Sequence, residues 1–293
     1  MKRALCLAGT FVTAISGSVN VMGSQLMSEE SVAIVPIPAN HVSTHENDDV
    51  TEQQLHQPSL HDRNLFYQSS PSTGRRRLAK GSSRSFQNLV LLLRFSDQTD
   101  RILPSRSDIS KLYNSATPTT TGRTADIAPT GSVRQVYLEN SYGQFTIETT
   151  VSEWITLPHT EEYYAAGNHG FTMLKEGIIY ALNHLESDRK FSFSKFDLDS
   201  DGNLDGLGVL VSGFGAEFAG TDCYEQQNNY RIWSHKGTGL NWSSEERHGN
   251  DPINVNRYYV SSALRGKCGS DIVRMGVICH EIGHYLGLPD LYE

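Results

Sequence analysis

The sequence predicts a mixed α/β domain, and three observations carry that reading. Two continuous apolar runs of strand length, Asn88 to Phe95 and Leu207 to Val211, have the character of strands covered on both faces. Residues 171–185 place Leu174, Ile178, Ala181, Leu182 and Leu185 at helical spacing, which makes an amphipathic helix long enough to back a sheet. A terminal helix is expected over residues 271–286.

In chain order, residues 1–22 open with Met1-Lys2-Arg3 and pass through a short apolar stretch into small residues, the pattern of a secretory signal peptide. The stretch falls short of the ~18 to 20 apolar residues that a membrane span needs, so export rather than anchoring is expected. Residues 23–84 are polar, poor in aromatics and without sustained periodicity, and read as a largely irregular pro-region. It ends in Gly74-Arg75-Arg76-Arg77-Leu78-Ala79-Lys80-Gly81, a basic run that suits a processing protease acting between Arg75 and Lys80; a solvated linker is the plainer alternative.

From residue 85 the character changes to that of a folded domain running to residue 293. A Ser96-Asp97 turn follows the first strand, Ser107 to Tyr113 forms a short helix, and the Thr/Gly/Pro tract from Thr117 to Pro129 is a loop. Val133, Val136, Tyr137 and Asn140 share a helical face, Tyr142-Gly143 stops that helix, and Phe145 to Val151 alternates like a strand. Arg257 to Ser261 is the last strand before the terminal helix.

Composition narrows the partners. Lys plus Arg number 25 against 33 Asp plus Glu, a formal charge of −8, which argues against a nucleic-acid binder held by phosphate contacts. Cys6 lies in the export segment, leaving Cys223, Cys268 and Cys279, so at most one internal disulfide can form. In an exported chain Cys223 and Cys268, each beside turn residues, are the expected pair, with two free thiols as the alternative. Cys279 is expected to pack as a small apolar residue.

The stretch with chemistry in it is Cys279-His280-Glu281-Ile282-Gly283-His284-Tyr285-Leu286-Gly287-Leu288-Pro289-Asp290. His280 and His284 are one helical turn apart, so both imidazoles project from one face and can bind one Zn²⁺, while Glu281 beside them is placed for a general base. With this composition HExxH arises by chance in about 0.02 of such chains, and the extended pattern HExxHxxGxxD in roughly one in ten thousand. Gly287 tolerates the positive φ that ends a helix and swings the chain back, which brings Asp290 toward the metal as third ligand; Glu293 or a residue following it is the alternative.

The extended motif resembles that of the metzincin clan, and His280 to Glu293 is closely similar to the immune inhibitor A-like secreted metalloproteases. The similarity continues upstream through Asn88 to Asp97, Ser132 to Phe145, Trp154 to Pro158, Asp197 to Gly206 and Ile232 to Lys236, covering about residues 86–293. The resemblance implies a metzincin-like twisted mixed sheet with a backing helix and an active-site helix carrying HExxHxxGxxD. It implies a secreted zinc-dependent endopeptidase that attacks peptide bonds of protein or peptide substrates with a zinc-bound water and Glu281 as base. The Met-turn and pocket wall of metzincins would follow beyond Glu293, so the chain is expected to be the N-terminal part of a catalytic domain.

Asp197, Asp199, Asp201 and Asp205 alternate through a loop with Gly202 at its sharp turn, like the first half of an EF-hand, and are candidate Ca²⁺ ligands. The twelfth position is Gly208 rather than Glu, so a complete EF-hand is excluded and a solvated acidic turn stands as the alternative. His235 is read either as a substrate-positioning residue or as a hydrogen-bonded histidine on a strand, and Asn241-Trp242-Ser243 fits a glycosylation acceptor. The competing class of function is a catalytically incomplete, calcium-stabilised binding or adhesion module built on a protease fold.

Overall fold

The structure is a computed structural model that describes residues 84–116, 127–188, 190–249 and 251–290. The expected export segment, the expected pro-region up to residue 83 with its basic run, most of the Thr/Gly/Pro tract and Glu293 lie outside the described residues.

Five strands form one sheet in the order β2-β1-β3-β5-β4: β1 (Arg84–Arg94), β2 (Phe145–Thr156), β3 (Gly206–Phe214), β4 (His235–His248) and β5 (Asp251–Leu264). β1 pairs parallel with β2 and β3, β3 pairs parallel with β5, and β4 alone runs antiparallel, along β5. The mixed α/β expectation therefore holds, with the two apolar runs as adjacent central strands. Both are buried on two faces because alternate β1 residues enter different cores. Leu89, Leu91 and Leu93 pack with Ile178, Ala181 and Leu182, whereas Val90 and Leu92 pack with Ile109, Leu112, Val133, Ile278 and Ile282.

The helices cover those faces. α1 (Arg106–Asn114) is capped by Ser105, whose side chain accepts from Asp108 N, and α2 (Val133–Asn140) by a capping box between Ser132 and Gln135. A single turn of helix, α3 (Glu161–Ala165), precedes α4 (Leu174–Ser187), the backing helix on the first core; α5 (Met275–Tyr285) lies on the second. α1 also blunts the outer edge of β2. Asn114 donates to Thr149 O and accepts from Thr149 N, at 2.9 and 3.0 Å, and Arg106 Nε donates to Val151 O at 2.7 Å.

Several boundaries move for physical reasons. α4 starts at Leu174 rather than 171, and Phe171 instead sets its ring 4.5 Å from that of His235. α5 starts at Met275 rather than 271, because Ile272 bridges to Leu264 on β5. On α2 only Val133 is buried and Asn140 is exposed, so its apolar face is narrower than expected. β4 escapes pattern recognition since Gly237, Gly239 and Asn241 interrupt it and much of one face is solvated. Cys223 and Cys268 form a disulfide, and Cys279 is a free, partly buried thiol packed against the second core. No helix among the described residues is long and apolar enough to cross a membrane.

The C-terminal end of β3 accommodates a buried carboxyl. Glu161, 1% exposed, accepts from Gln98 Nε2 at 2.7 Å; Gln98 Oε1 accepts from Ser212 Oγ at 2.6 Å, and Ser212 Oγ accepts from Phe95 N at 3.1 Å. A Cβ at Gly213 would collide with the Glu161 carboxyl, so the glycine makes the room. Burial pushes Glu161 up to about 8 from its ordinary 4.5. Because the folded value is the higher one, the stability from this group is complete below pH 4.5 and is lost as pH rises through 8. Urea unfolding from pH 5 to 8 is expected to lose up to about 1.4 kcal/mol per pH unit through Glu161. Glu161→Gln should flatten that part of the slope, and identical slopes in the two proteins would refute the assignment.

Candidate metal centre

α5 has no side-chain N-cap and contains Gly276 and Gly283, each worth about 1 kcal/mol less than Ala in a helix interior. Packing holds it instead. Ile278, Ile282 and Tyr285, at helical spacing, enter the second core; the Tyr285 ring meets those of Tyr259 and Phe86 at 6.0 and 6.1 Å, and Arg257 lies 4.7 Å over it. From α2, Tyr137 Oη donates to Cys279 O at 2.8 Å. These contacts set the rotation of the helix and so the direction in which His280, Glu281 and His284 project.

The helix ends in a Schellman motif. Gly287, at φ +91°, donates to His284 O at 3.0 Å, and Leu288 N donates to Gly283 O at 2.9 Å. The turn places Leu288 O 2.9 Å from His284 Nδ1, so that Nδ1 donates and Nε2 keeps its lone pair. It also returns Asp290 to the helix.

Three donor atoms then converge. His280 Nε2 and His284 Nε2 are 3.0 Å apart, and Asp290 Oδ1 lies 3.4 Å from the first and 3.2 Å from the second. A tetrahedral Zn²⁺ with arms of about 2.0–2.1 Å separates its ligand atoms by about 3.3 Å, so this donor set fits that ion in both type and spacing. Burial, and then the neighbouring His284, lower the His280 pKa and favour the neutral imidazole that a metal requires.

Glu281 is 5% exposed. Burial raises its carboxyl to about 8, with Glu217 and then Asp290 adding like charge. Glu217 stands in the turn Ala216–Phe218 just after β3, and Ser234 Oγ donates to its Oε1 at 2.8 Å. Neither Glu217 nor the Leu288 carbonyl has a signature in the sequence: one is an isolated acid in Gly-Ala-Glu-Phe, the other a backbone atom.

The remaining expected residues divide. Ligand atoms of Asp197, Asp199 and Asp205 lie within 4.8 Å of one another, whereas Asp201 is not part of that cluster. Asp201 Oδ1 accepts from Asn203 N at 2.8 Å, a local turn bond. Burial and then the Asp201 charge raise Asp199; burial raises Asp205, whose Oδ2 accepts from Gln87 N at 3.1 Å. His235 is buried and structural: its Nδ1 donates to Trp233 O at 2.8 Å, its Nε2 accepts from Tyr258 Oη at 3.2 Å, and burial pushes it down to about 4.

Gly287→Ala forces a Cβ into the left-handed region, at a cost of about 1–2 kcal/mol. Zn²⁺ titration is expected to show affinity falling about tenfold or more as the Leu288 carbonyl leaves His284. Unchanged affinity would show that the turn does not set the histidine.

The sequence of residues 74–293 matches the family model for the immune inhibitor A peptidase M6 catalytic domain. Immune inhibitor A of Bacillus thuringiensis subsp. alesti is 27% identical over 180 residues, an alignment covering 55% of this chain. It covers 25% of that relative, so this chain corresponds to well under half of the relative's length. With 220 of its 293 residues matched to the family's catalytic domain, the chain belongs to the immune inhibitor A peptidase M6 family.

Proposed function

We propose that this chain forms part of a secreted, metzincin-like zinc endopeptidase. The observation that supports the reading best is the triangle of two imidazole nitrogens and one carboxylate oxygen with edges of 3.0–3.4 Å, beside a buried Glu281. Three protein ligands leave a position open to solvent and substrate, which suits catalysis rather than a closed structural site.

A bound zinc ion would supply a Lewis acid that polarises the scissile carbonyl and brings the pKa of water toward about 7. His280, His284 and Asp290 hold and orient it without exchanging protons in the reaction. With a cation's positive charge opposing the burial that raises it, Glu281 in its ionised form takes a proton from the attacking water as the water oxygen joins the carbonyl carbon. It then delivers that proton to the departing amine nitrogen, so that peptide and water become acid and amine.

The signal peptide at residues 1–22, the pro-region at 23–84 and processing between Arg75 and Lys80 belong to the same proposal, as does the catalytic domain from 85. The Asp197, Asp199 and Asp205 cluster, with Asp201 in the same loop, is proposed as a Ca²⁺ site that steadies the loop before β3; burial and then the like charge of Asp201 and Asp197 raise Asp199, and a hard cation relieves both.

Two experiments test these readings. Glu281→Gln should retain stoichiometric zinc and lose about 10²- to 10⁴-fold in chelator-sensitive cleavage of casein or a peptide, since shape is kept and the base removed. Retained cleavage would contradict the assigned role. Adding Ca²⁺ to chelator-treated protein should raise the melting temperature by several degrees, and Asp199→Asn should abolish most of that rise. A melting temperature indifferent to Ca²⁺ would leave the loop as a solvated acidic turn.

A further inference from the structure

The edge strand β4 carries a motif that the peptidase chemistry leaves unused. Asn241-Trp242-Ser243 is the only Asn-X-Ser/Thr triplet in the 293 residues, and its middle residue is not proline. In an exported chain such a triplet accepts N-linked carbohydrate where it lies at the surface. Three residues match easily by chance, and the fold is what distinguishes this triplet.

β4 pairs Thr238 with Arg257 and Trp242 with Val255, so it holds extra residues between those two pairs and bulges there. Asn241 stands in the bulge at φ +50°, a left-handed conformation that asparagine tolerates better than most side chains. Trp242 turns inward, 7% exposed, and its Nε1 donates to Asn183 Oδ1 at 2.7 Å. Asn241 and Ser243 on either side of it are exposed, so the asparagine and the hydroxyl residue of the triplet both reach solvent.

The neighbouring asparagines are occupied. Asn183 holds Trp242, Asn254 Oδ1 accepts from Ser243 Oγ at 2.7 Å, and Asn256 Oδ1 accepts from Gly239 N at 3.1 Å. Among the described residues no hydrogen bond engages the Asn241 side chain, so a sugar on its Nδ2 displaces no contact of the fold. β4 lies at the edge of the sheet, which gives a bulky hydrated group room and an edge to shield. In the folded sheet the Ser243 hydroxyl is given to Asn254 on β5, so it is free for a transferring enzyme only before β5 pairs with β4.

We propose that Asn241 carries an N-linked oligosaccharide, added during export before β4 and β5 pair. The donor is of the class of lipid-linked oligosaccharyl diphosphates. Asn241 Nδ2 forms a bond to the anomeric carbon as the bond from that carbon to the diphosphate oxygen breaks; the leaving diphosphate keeps the electron pair, and Nδ2 gives up one proton. The proposal shares the export expectation for residues 1–22 and is independent of the metal centre.

The test is secretion of the full chain from a eukaryotic cell, followed by intact mass and a peptide map. The product is expected to be heavier by one oligosaccharide, and an amidase that releases N-glycans should remove that mass and leave a deamidated residue at this position. Asn241→Asp, which keeps the tolerance for positive φ, and Ser243→Ala should each abolish the added mass, whereas Ser243→Thr should keep it. A secreted chain with Asn241 unmodified, or an N-glycan that survives Asn241→Asp, would overturn the proposal. Folded protein made without the glycan should stay unmodified when given donor and transferase, and modification there would overturn the timing. Should residues 1–22 fail to direct export, the same chain behind a foreign secretory leader separates the two readings. A glycan on Asn241 in that product keeps this site and rejects the native leader, whereas an unmodified Asn241 overturns the site.

Discussion

Two imidazole nitrogens and a carboxylate oxygen held 3.0–3.4 Å apart repel one another through their lone pairs unless a proton or a cation sits between them. The rest of the domain supplies the force that keeps them there. Ile278, Ile282 and Tyr285 lock α5 against the sheet, Tyr137 ties it to α2, and the turn at Gly287 sets both the His284 tautomer and the return of Asp290. None of these contacts involves the three donor atoms with one another. The arrangement is thus preorganised by packing and by one helix-terminating turn, which is what a metal site needs if its ligands are not to relax apart.

A second theme is the treatment of acids near the C-terminal end of β3. Gly213 gives space to Glu161 and Gly215 to Glu217, two residues apart on one strand and its following turn. Both carboxyls are raised by burial, and so is Glu281. Glu161 is satisfied by Gln98 and lies in a buried network, so its role is to tie the loop after β1 to α3. Glu217 is held by Ser234, whose hydroxyl and backbone N–H both donate to it.

Much of this was legible in the sequence where local physics decides the outcome. The apolar runs of β1 and β3 announce strands buried on both faces, the spacing of Leu174 to Leu185 announces α4, and HExxH on a helix puts two histidines on one face whatever surrounds them. Gly287 was readable because only a residue at ease with positive φ ends a helix in this way. β4 was not, since an edge strand broken by glycines carries no alternation. Alternation in sequence does not show that Asp201 turns one oxygen to Asn203 N while the ligand atoms of Asp197, Asp199 and Asp205 cluster.

The central claim is that His280, His284 and Asp290 together bind one zinc ion. X-ray absorption at the zinc edge, on protein reconstituted with one equivalent of metal, addresses it most directly. The account predicts two imidazole nitrogens at about 2.0–2.1 Å with oxygen completing the shell, and loss of one oxygen contribution in Asp290→Ala. A sulfur shell at about 2.3 Å, which would implicate Cys279, or a spectrum without imidazole scattering, would contradict it.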